Sequence, residues 1–123
     1  MEFRSRRLIK YEDLNPRGFL FGGQLLKFID EEAAIFCFCQ LDTQSVVTKF
    51  ISEINFVSPV KLGDVIEFGM ETTDIGRTSI TFKCEVRNKF NKQTVISIEK
   101  IVFVHIDADG KPTPHNINNK DVK

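Results

Sequence analysis

The chain has 123 residues, and its 17 basic and 17 acidic side chains cancel, so that it carries no net charge at pH 7. A chain of this length forms one domain and buries roughly two-thirds of its unfolded surface. Because the sequence has neither an excess of charge of one sign nor a run of ~20 apolar residues, nucleic-acid binding and membrane insertion are not expected.

The first half of the sequence predicts one strand, one loop and one long helix. Residues 3–10 have the composition of a strand, and residues 11–18 contain Asp, Asn, Pro and Gly, which favour a loop. From Gly23 to about Gln40 neither Pro nor a further Gly interrupts the chain. Apolar residues recur there at the spacing of one buried helix face: Leu25, Leu26, Ile29, Ala33, Phe36 and Cys37.

The predicted helix is also apolar outside this face. Phe28, Ile35 and Phe38 lie away from the main stripe, so that the helix is hydrophobic almost all round. One sheet covers only one side of such a helix. We therefore expect a second copy of the chain to cover the remainder, which predicts a homodimer.

The second half of the sequence predicts strands joined by short turns. Strand patterns occur in four stretches, at about residues 45–56, 66–70, 80–86 and 96–106. The connections at 74–76 and 88–93 are short enough for antiparallel hairpins. About five strands and one helix of matching length predict an α+β domain, in which a curled antiparallel sheet wraps one long central helix.

The cysteine content argues against a disulfide framework and a zinc centre. The chain has three cysteines, Cys37, Cys39 and Cys84, an odd number with a single C-x-C pair. We expect reduced thiols and no metal site. The basic N-terminus is not followed by an apolar segment of the kind that secretory signals contain, so the cytoplasm is the expected location.

Two adjacent glycines, Gly22 and Gly23, stand at the start of the predicted helix. The first-turn N–H groups of a helix have no acceptor within it and can stabilise a developing negative charge. The two glycines would also allow the entering loop to pack tightly, and spacing alone gives the two interpretations equal weight.

Two acidic residues of the helix are candidates for a general base. Asp30 lies about two turns from the helix start, too far to cap it, on one shoulder of the apolar stripe. Partial desolvation there would make its carboxylate a stronger base. Glu32 occupies the opposite shoulder, whereas Glu31 is expected at the surface. Periodicity does not decide between Asp30 and Glu32, and a solvated position on the helix face remains the alternative for either.

A longer pattern around these residues resembles a known family. Asn15, Gly18, Phe21, Gly22, Gly23, Leu26 and Asp30 are similar to the motif of hotdog-fold acyl-CoA thioesterases of the YciA and cytosolic acyl-CoA hydrolase type. The resemblance extends in order over nearly the whole chain, through Val47-Thr48, Asn55-Phe56, Pro59-Val60, Gly63-Asp64-Val65, Gly76-Arg77-Thr78-Ser79 and Asp107 to Pro112.

The resemblance implies a hotdog fold over residues 1–115, followed by a polar tail at 116–123. It also implies pairing through edge strands into a homodimer and assembly into a hexamer as a trimer of dimers. The site then lies at the dimer interface, where Asn15 of one subunit faces Asp30 of the other.

The activity implied is hydrolysis of a fatty acyl-CoA to the free acid and CoA, with no cofactor, since CoA is part of the substrate. Asp30 would act as general base or as nucleophile, Asn15 would position the water or the thioester, and the Gly22 or Gly23 N–H would bind the oxyanion. Candidate contacts with the acyl chain are Phe19, Phe21, Phe56 and Val57. The CoA moiety would lie over Gly76, Arg77, Thr78 and Ser79.

Two other functions fit these residues less well. A non-catalytic acyl-CoA-binding or sensor protein would need neither Asn15 nor Asp30, and both are present. A hydratase of the same fold would need a His near the helix start, and that segment contains none. Neither His105 nor His115 lies near the acid in sequence, and neither is assigned a role.

Overall fold

One helix and six strands form the described part of the chain. The computed structural model describes residues 1–118, so most of the predicted polar tail, residues 119–123, lies outside the described residues. In chain order the elements are β1 (Phe3–Leu8), a short 3-10 helix (Tyr11–Asp13), α1 (Gly22–Leu41), β2 (Val46–Ile51), β3 (Ile54–Phe56), β4 (Val65–Ile75), β5 (Ser79–Asn88) and β6 (Thr94–His105).

The strands form one antiparallel sheet in the order β1-β4-β5-β6-β2, and β3 also pairs with β6. The two predicted hairpins join β4 to β5 and β5 to β6, which confirms them. The strand β1 forms one edge of the sheet, and β2 and β3, which both pair with β6, form the other. The predicted architecture of a sheet around one helix is therefore confirmed.

The single strand predicted over residues 45–56 is two strands, so that the sheet has six strands rather than five. The break, at Ser52 and Glu53, lies opposite Glu99 and Lys100 of β6, which are exposed between two buried isoleucines, Ile98 and Ile101. Against β5, Ile98 and Ile101 pair with Cys84 and Phe82, which leaves one extra residue on β6. This extra residue explains why the apolar alternation of β6 changes phase, whereas the register of β6 with β2 and β3 is the same on both sides of the break.

The main stripe of α1 is buried against the sheet as predicted. Its members with at most 3% exposure are Leu25, Ile29, Ala33, Cys37 and Leu41. Below them Phe82 packs against Phe36 and Phe103, at ring distances of 5.1 and 5.7 Å. Burial raises the pKa of the Cys37 thiol to about 12, so this cysteine is inert at neutral pH.

Phe28, Ile35 and Phe38 lie outside the main stripe of α1, and we expect a second copy of the chain to cover them. The structure supports this expectation only in part. Phe28 is buried within its own subunit, because the guanidinium of Arg7 in β1 lies 4.4 Å above its ring. Phe38 is half-buried, whereas Ile35 is 51% exposed. Within residues 1–118 no helix is both long and apolar enough to cross a membrane.

Candidate active site

Asn15 forms a tight turn that precedes the helix. Its backbone carbonyl accepts the N–H of Gly18 at 3.0 Å, and Gly18 has φ +87°, a conformation that favours glycine. The side-chain Oδ1 of Asn15 accepts the N–H groups of Arg17 and Phe19, at 2.9 and 3.2 Å. Its amide Nδ2 has no acceptor within residues 1–118. The oxygen of Asn15 therefore shapes the loop, and the nitrogen remains available as a donor.

Asp13 ties this loop to the helix, a role that sequence analysis missed. Its carboxylate is 3% exposed and accepts hydrogen bonds from the Lys10 N–H and the Gln24 side-chain amide, both at 2.9 Å. Its backbone carbonyl accepts the N–H of Phe21 at 2.9 Å. An Asp in a polar loop gives no sequence signal of burial, so only the fold identifies this contact.

The first turn of α1 carries unsatisfied donors, as the two glycines predicted. The helix begins at Gly22, and the residue before it, Phe21, has no side-chain oxygen to cap it. In the described chain neither the Gly22 nor the Gly23 N–H has an acceptor. A side chain at Gly22 would lie 3.7 Å from the Phe56 ring, and one at Gly23 would lie 3.3 Å from the Phe21 ring. The donors are thus flanked by two exposed aromatic rings.

Asp30 points to the edge strand β2. Its Oδ1 accepts a hydrogen bond of 2.8 Å from the Oγ1 of Thr48. The expectation of a half-desolvated carboxylate is wrong for the single subunit, in which Asp30 is exposed. The reason is that β2 is the last strand of the sheet, so that nothing in the same subunit covers the carboxylate from beyond that strand.

Glu32, the competing acid, is engaged elsewhere. Its carboxylate accepts hydrogen bonds from the Ser5 hydroxyl at 2.7 Å and from Arg7 at 3.0 Å, and its side chain is only 14% exposed. Glu31 is exposed, as predicted, and also pairs with Arg7, at 3.2 Å. These contacts fasten α1 to β1, at the opposite edge of the sheet from β2. The structure therefore separates the two acids that periodicity left equivalent.

An apolar cleft of about 300 Å³ opens beside the helix start. Its walls include three of the residues predicted to contact the acyl chain, Phe19, Phe56 and Val57. They also include Gly22, a candidate hydrogen-bond donor to the oxyanion. Its remaining walls are Leu20, Leu25, Ser58, Pro59, Val60 and Val95. The fourth predicted contact, Phe21, is exposed next to Gly23.

The turn that contains Gly76, Arg77, Thr78 and Ser79 lies away from this cleft, at the other end of β6. Ser79 is opposite Val104, and Val104 is opposite Val47, the neighbour of Thr48. Ser79 and Val47 are thus two strands apart in the sheet, so that about 10 Å separate the turn from β2. The predicted residues therefore form two groups in one subunit: Asn15 and the glycines before and in the first turn of α1, and Asp30 with Thr48 nearer the turn Gly76–Ser79.

Comparison with known proteins gives consistent matches. A family model described as the thioesterase superfamily matches residues 17–95. Among curated proteins, the acyl-CoA thioester hydrolase YciA of Salmonella typhimurium is 30% identical, over 92% of this chain and 89% of that protein. An uncharacterized acyl-CoA thioester hydrolase of Haemophilus influenzae is 29% identical, over 86% of this chain and 72% of that protein.

Solved structures agree with the sequence matches. A mutant form of HI0827, a hexameric broad specificity acyl-coenzyme A thioesterase, superimposes with a TM-score of 0.85 at 26% identity, over 98% of this chain and 91% of that one. An acyl-CoA hydrolase from Staphylococcus aureus, solved with butyryl coenzyme A and coenzyme A, has a TM-score of 0.77 at 28% identity, over 89% of this chain and 66% of that one.

Proposed function

This chain belongs to the thioesterase superfamily, and we propose that it hydrolyses fatty acyl-CoA to the free acid and CoA at a site shared by two subunits. The names of its relatives support CoA thioesters as the substrate class. A thiol with a pKa near ~8.5 leaves readily as thiolate, so that one carboxylate suffices for the reaction.

The main observation in favour of a site shared by two subunits is the distance between Gly22 and Asp30 along α1. Asp30 lies eight residues beyond Gly22, about 12 Å along the axis at 1.5 Å per residue. Reacting atoms must approach to about 3–3.5 Å. A carboxylate therefore cannot activate water for attack on a carbonyl held at the start of its own helix. Asp30 of one subunit and the glycines of the other can meet across a two-fold axis.

Asp30 acts as general base or as nucleophile in this proposal. The Thr48 hydroxyl holds Oδ1, and Oδ2 has no partner among residues 1–118, which leaves one oxygen free for water or for the thioester carbonyl. Burial of the pair at the subunit interface would strengthen the base, since desolvation disfavours the charged carboxylate.

Asn15 of the partner subunit positions the water or the thioester through its free amide nitrogen. The Staphylococcus aureus hydrolase supports this pair, because structures exist in which an Asn or an Asp of that protein is replaced by Ala. Those two residues are separated there by the same fifteen positions that separate Asn15 from Asp30 here. A Thr of that protein was also replaced.

The Gly22 and Gly23 N–H groups bind the oxyanion, because they are unsatisfied donors at the positive end of a helix. The acyl chain then enters the adjoining apolar cleft beside Phe56 and Val57, and Phe21, exposed next to Gly23, is a further contact. The CoA moiety lies over the turn Gly76–Ser79, where Arg77 is exposed and can pair with phosphate.

The edge strand β2 forms the dimer interface. Its outer side is unpaired in the described chain, and it exposes two apolar side chains, Val47 and Phe50. A long edge with exposed apolar residues is a template for pairing with another strand. Pairing there would cover Asp30 and Thr48. Because several relatives are hexameric, we propose a hexamer built as a trimer of such dimers.

The test is thiol release from purified protein, followed with a disulfide reagent over a panel from acetyl-CoA to stearoyl-CoA. We expect turnover with at least one fatty acyl chain, and the Asp30→Asn protein is the control for background hydrolysis. Tight acyl-CoA binding without turnover across the panel would contradict the proposal and favour an acyl-CoA sensor.

A further inference from the structure

His115 bridges the C-terminal segment and the turn Gly76–Ser79. It is 8% exposed, its backbone N–H donates to the Arg77 carbonyl at 3.2 Å, and its Nε2 lies 3.0 Å from the Ser79 carbonyl oxygen. Its Nδ1 accepts the Ile117 N–H at 3.0 Å. A carbonyl can only accept and an amide N–H can only donate, so these contacts assign the neutral tautomer with the proton on Nε2.

A second histidine holds the segment that carries His115. We call residues Thr113–His115 the C-terminal strap. The Thr113 N–H donates to the His105 carbonyl at 2.9 Å, and the Nδ1 of His105 lies 3.0 Å from the Thr113 carbonyl. The His105 N–H in turn donates to the Thr78 carbonyl at 2.7 Å. The strap therefore folds back on β6 and reaches the turn in a defined position.

These bonds determine which backbone groups of the turn remain available. The carbonyls of Arg77, Thr78 and Ser79 all accept hydrogen bonds, and Ser79 accepts a second one from the Gly76 N–H at 3.0 Å. The N–H groups of Arg77 and Thr78, by contrast, have no acceptor among the 118 residues described. Successive free N–H groups beside an exposed guanidinium are complementary to an anion such as phosphate.

We propose that His115 is a positioning residue for CoA binding. Its ring anchors the strap to the Ser79 carbonyl, and its backbone N–H holds the Arg77 carbonyl, which belongs to the same peptide group as the free Thr78 N–H. That N–H therefore stays beside the Arg77 guanidinium and available to the phosphates of CoA. This inference rests on the proposed function, since it concerns the nucleotide end of the same substrate. It assigns His115 no part in cleavage of the thioester.

The experiment compares two substrates in two variants. His115→Phe keeps the ring volume and removes both ring hydrogen bonds, whereas His115→Gln retains a side-chain N–H able to reach the Ser79 carbonyl. Octanoyl-CoA carries the phosphates, and S-octanoyl pantetheine carries the same thioester without the nucleotide. We expect His115→Phe to raise the KM for octanoyl-CoA about three- to ten-fold at unchanged kcat, the effect of one or two lost hydrogen bonds. His115→Gln should largely restore that KM, and neither variant should change kcat/KM for the pantetheine ester.

An equal loss with both substrates, or an unchanged KM in a folded His115→Phe protein, would overturn the inference. Should that variant not fold, His115→Asn takes its place, because its shorter side chain can accept from Ile117 but cannot reach Ser79. Calorimetric titration of wild type and variants with CoA itself separates this inference from the proposed function. A weaker affinity for CoA in His115→Phe, largely restored in His115→Gln, supports the role of His115 even if the wild type shows no turnover.

Discussion

The hydroxyl of Thr48 donates a 2.8 Å hydrogen bond to the carboxylate of Asp30 and thereby links the edge strand β2 to the third turn of α1. Both residues are exposed in one subunit, at the edge where a second subunit can pair. An interface at β2 would bury this bond together with the candidate catalytic acid. The catalytic and the assembly proposals can therefore be tested on the same few residues.

Replacing Asp30 with Asn should lower kcat about 10²- to 10⁴-fold, because the general base or nucleophile is lost while the shape of the side chain is kept. Glu31→Gln is the matched control, since Glu31 is the adjacent, exposed acid. We expect this control to keep kcat within about two-fold of wild type. A larger loss in Glu32→Gln than in Asp30→Asn, with both proteins folded, would assign the base to Glu32 instead.

Replacing Thr48 with Val should reduce kcat about ten-fold, because the isosteric side chain no longer holds the Asp30 oxygen and leaves the carboxylate poorly oriented. Thr48→Ser retains the hydroxyl and should retain most of the activity. Steady-state kinetics on one acyl-CoA substrate measure both variants. Equal activity of the Val and Ser variants would show that the bond has no part in turnover.

Replacing Val47 with Asp should dissociate the assembly. Because the interface has two-fold symmetry, each subunit contributes one new negative charge. Unpaired charges at a paired strand edge repel each other. Sedimentation of wild type at micromolar concentration should show no monomer, whereas the variant should release monomer and lose activity with it. Phe90→Asp is the control, because Phe90 is also apolar and exposed but lies in the turn between β5 and β6. Activity in a monomeric Val47→Asp protein would contradict the shared site.

The buried carboxylate of Glu67 makes the stability of the folded protein depend on pH. This residue of β4 is 2% exposed, and its carboxylate accepts hydrogen bonds from Arg87 at 2.6 Å and from Arg6 at 3.3 Å. Burial alone would raise the pKa of Glu67, but these two bonds and the charges of Arg87 and Lys92 together hold it below its ordinary value. The stabilisation by Glu67 is therefore present above the unfolded pKa of about 4.3 and is lost as the pH falls through the lower folded pKa.

We expect the melting temperature of wild type to fall steeply below about pH 4, the region where an unfolded Glu takes up its proton. In Glu67→Gln the fall should be shallower, and stability at pH 7 should drop by about 1–3 kcal/mol because two arginines lose their buried partner. Thermal unfolding followed by circular dichroism measures both effects. Parallel pH profiles for the two proteins would show that another carboxylate governs acid unfolding.

Much of the fold could be predicted because it depends on local patterns. Helical spacing from Leu25 to Cys37 and apolar alternation in the sequence of β4, β5 and β6 are properties of neighbouring residues, and the helix and the three strands that they predict are confirmed. Burial alternates strictly only in β5, since residues 66–70 of β4 are buried on both faces. The sequence does not predict the break between β2 and β3, because it depends on pairing with β6, a segment far along the chain. The proposed catalytic pair and the proposed substrate contacts stay predictions.

The sequence by itself determined the elements, the antiparallel sheet around one helix and the family to which the chain belongs, because periodicity, turn chemistry and ordered motifs all lie along the chain. Only the tertiary structure decided between the two acids of α1. It directs Glu32 to Ser5 and Arg7 on one edge strand and Asp30 to Thr48 on the other. The physical reason is that a helix residue acquires its partners from whichever strand packs beside it, and strand order is a long-range property that helical spacing does not contain.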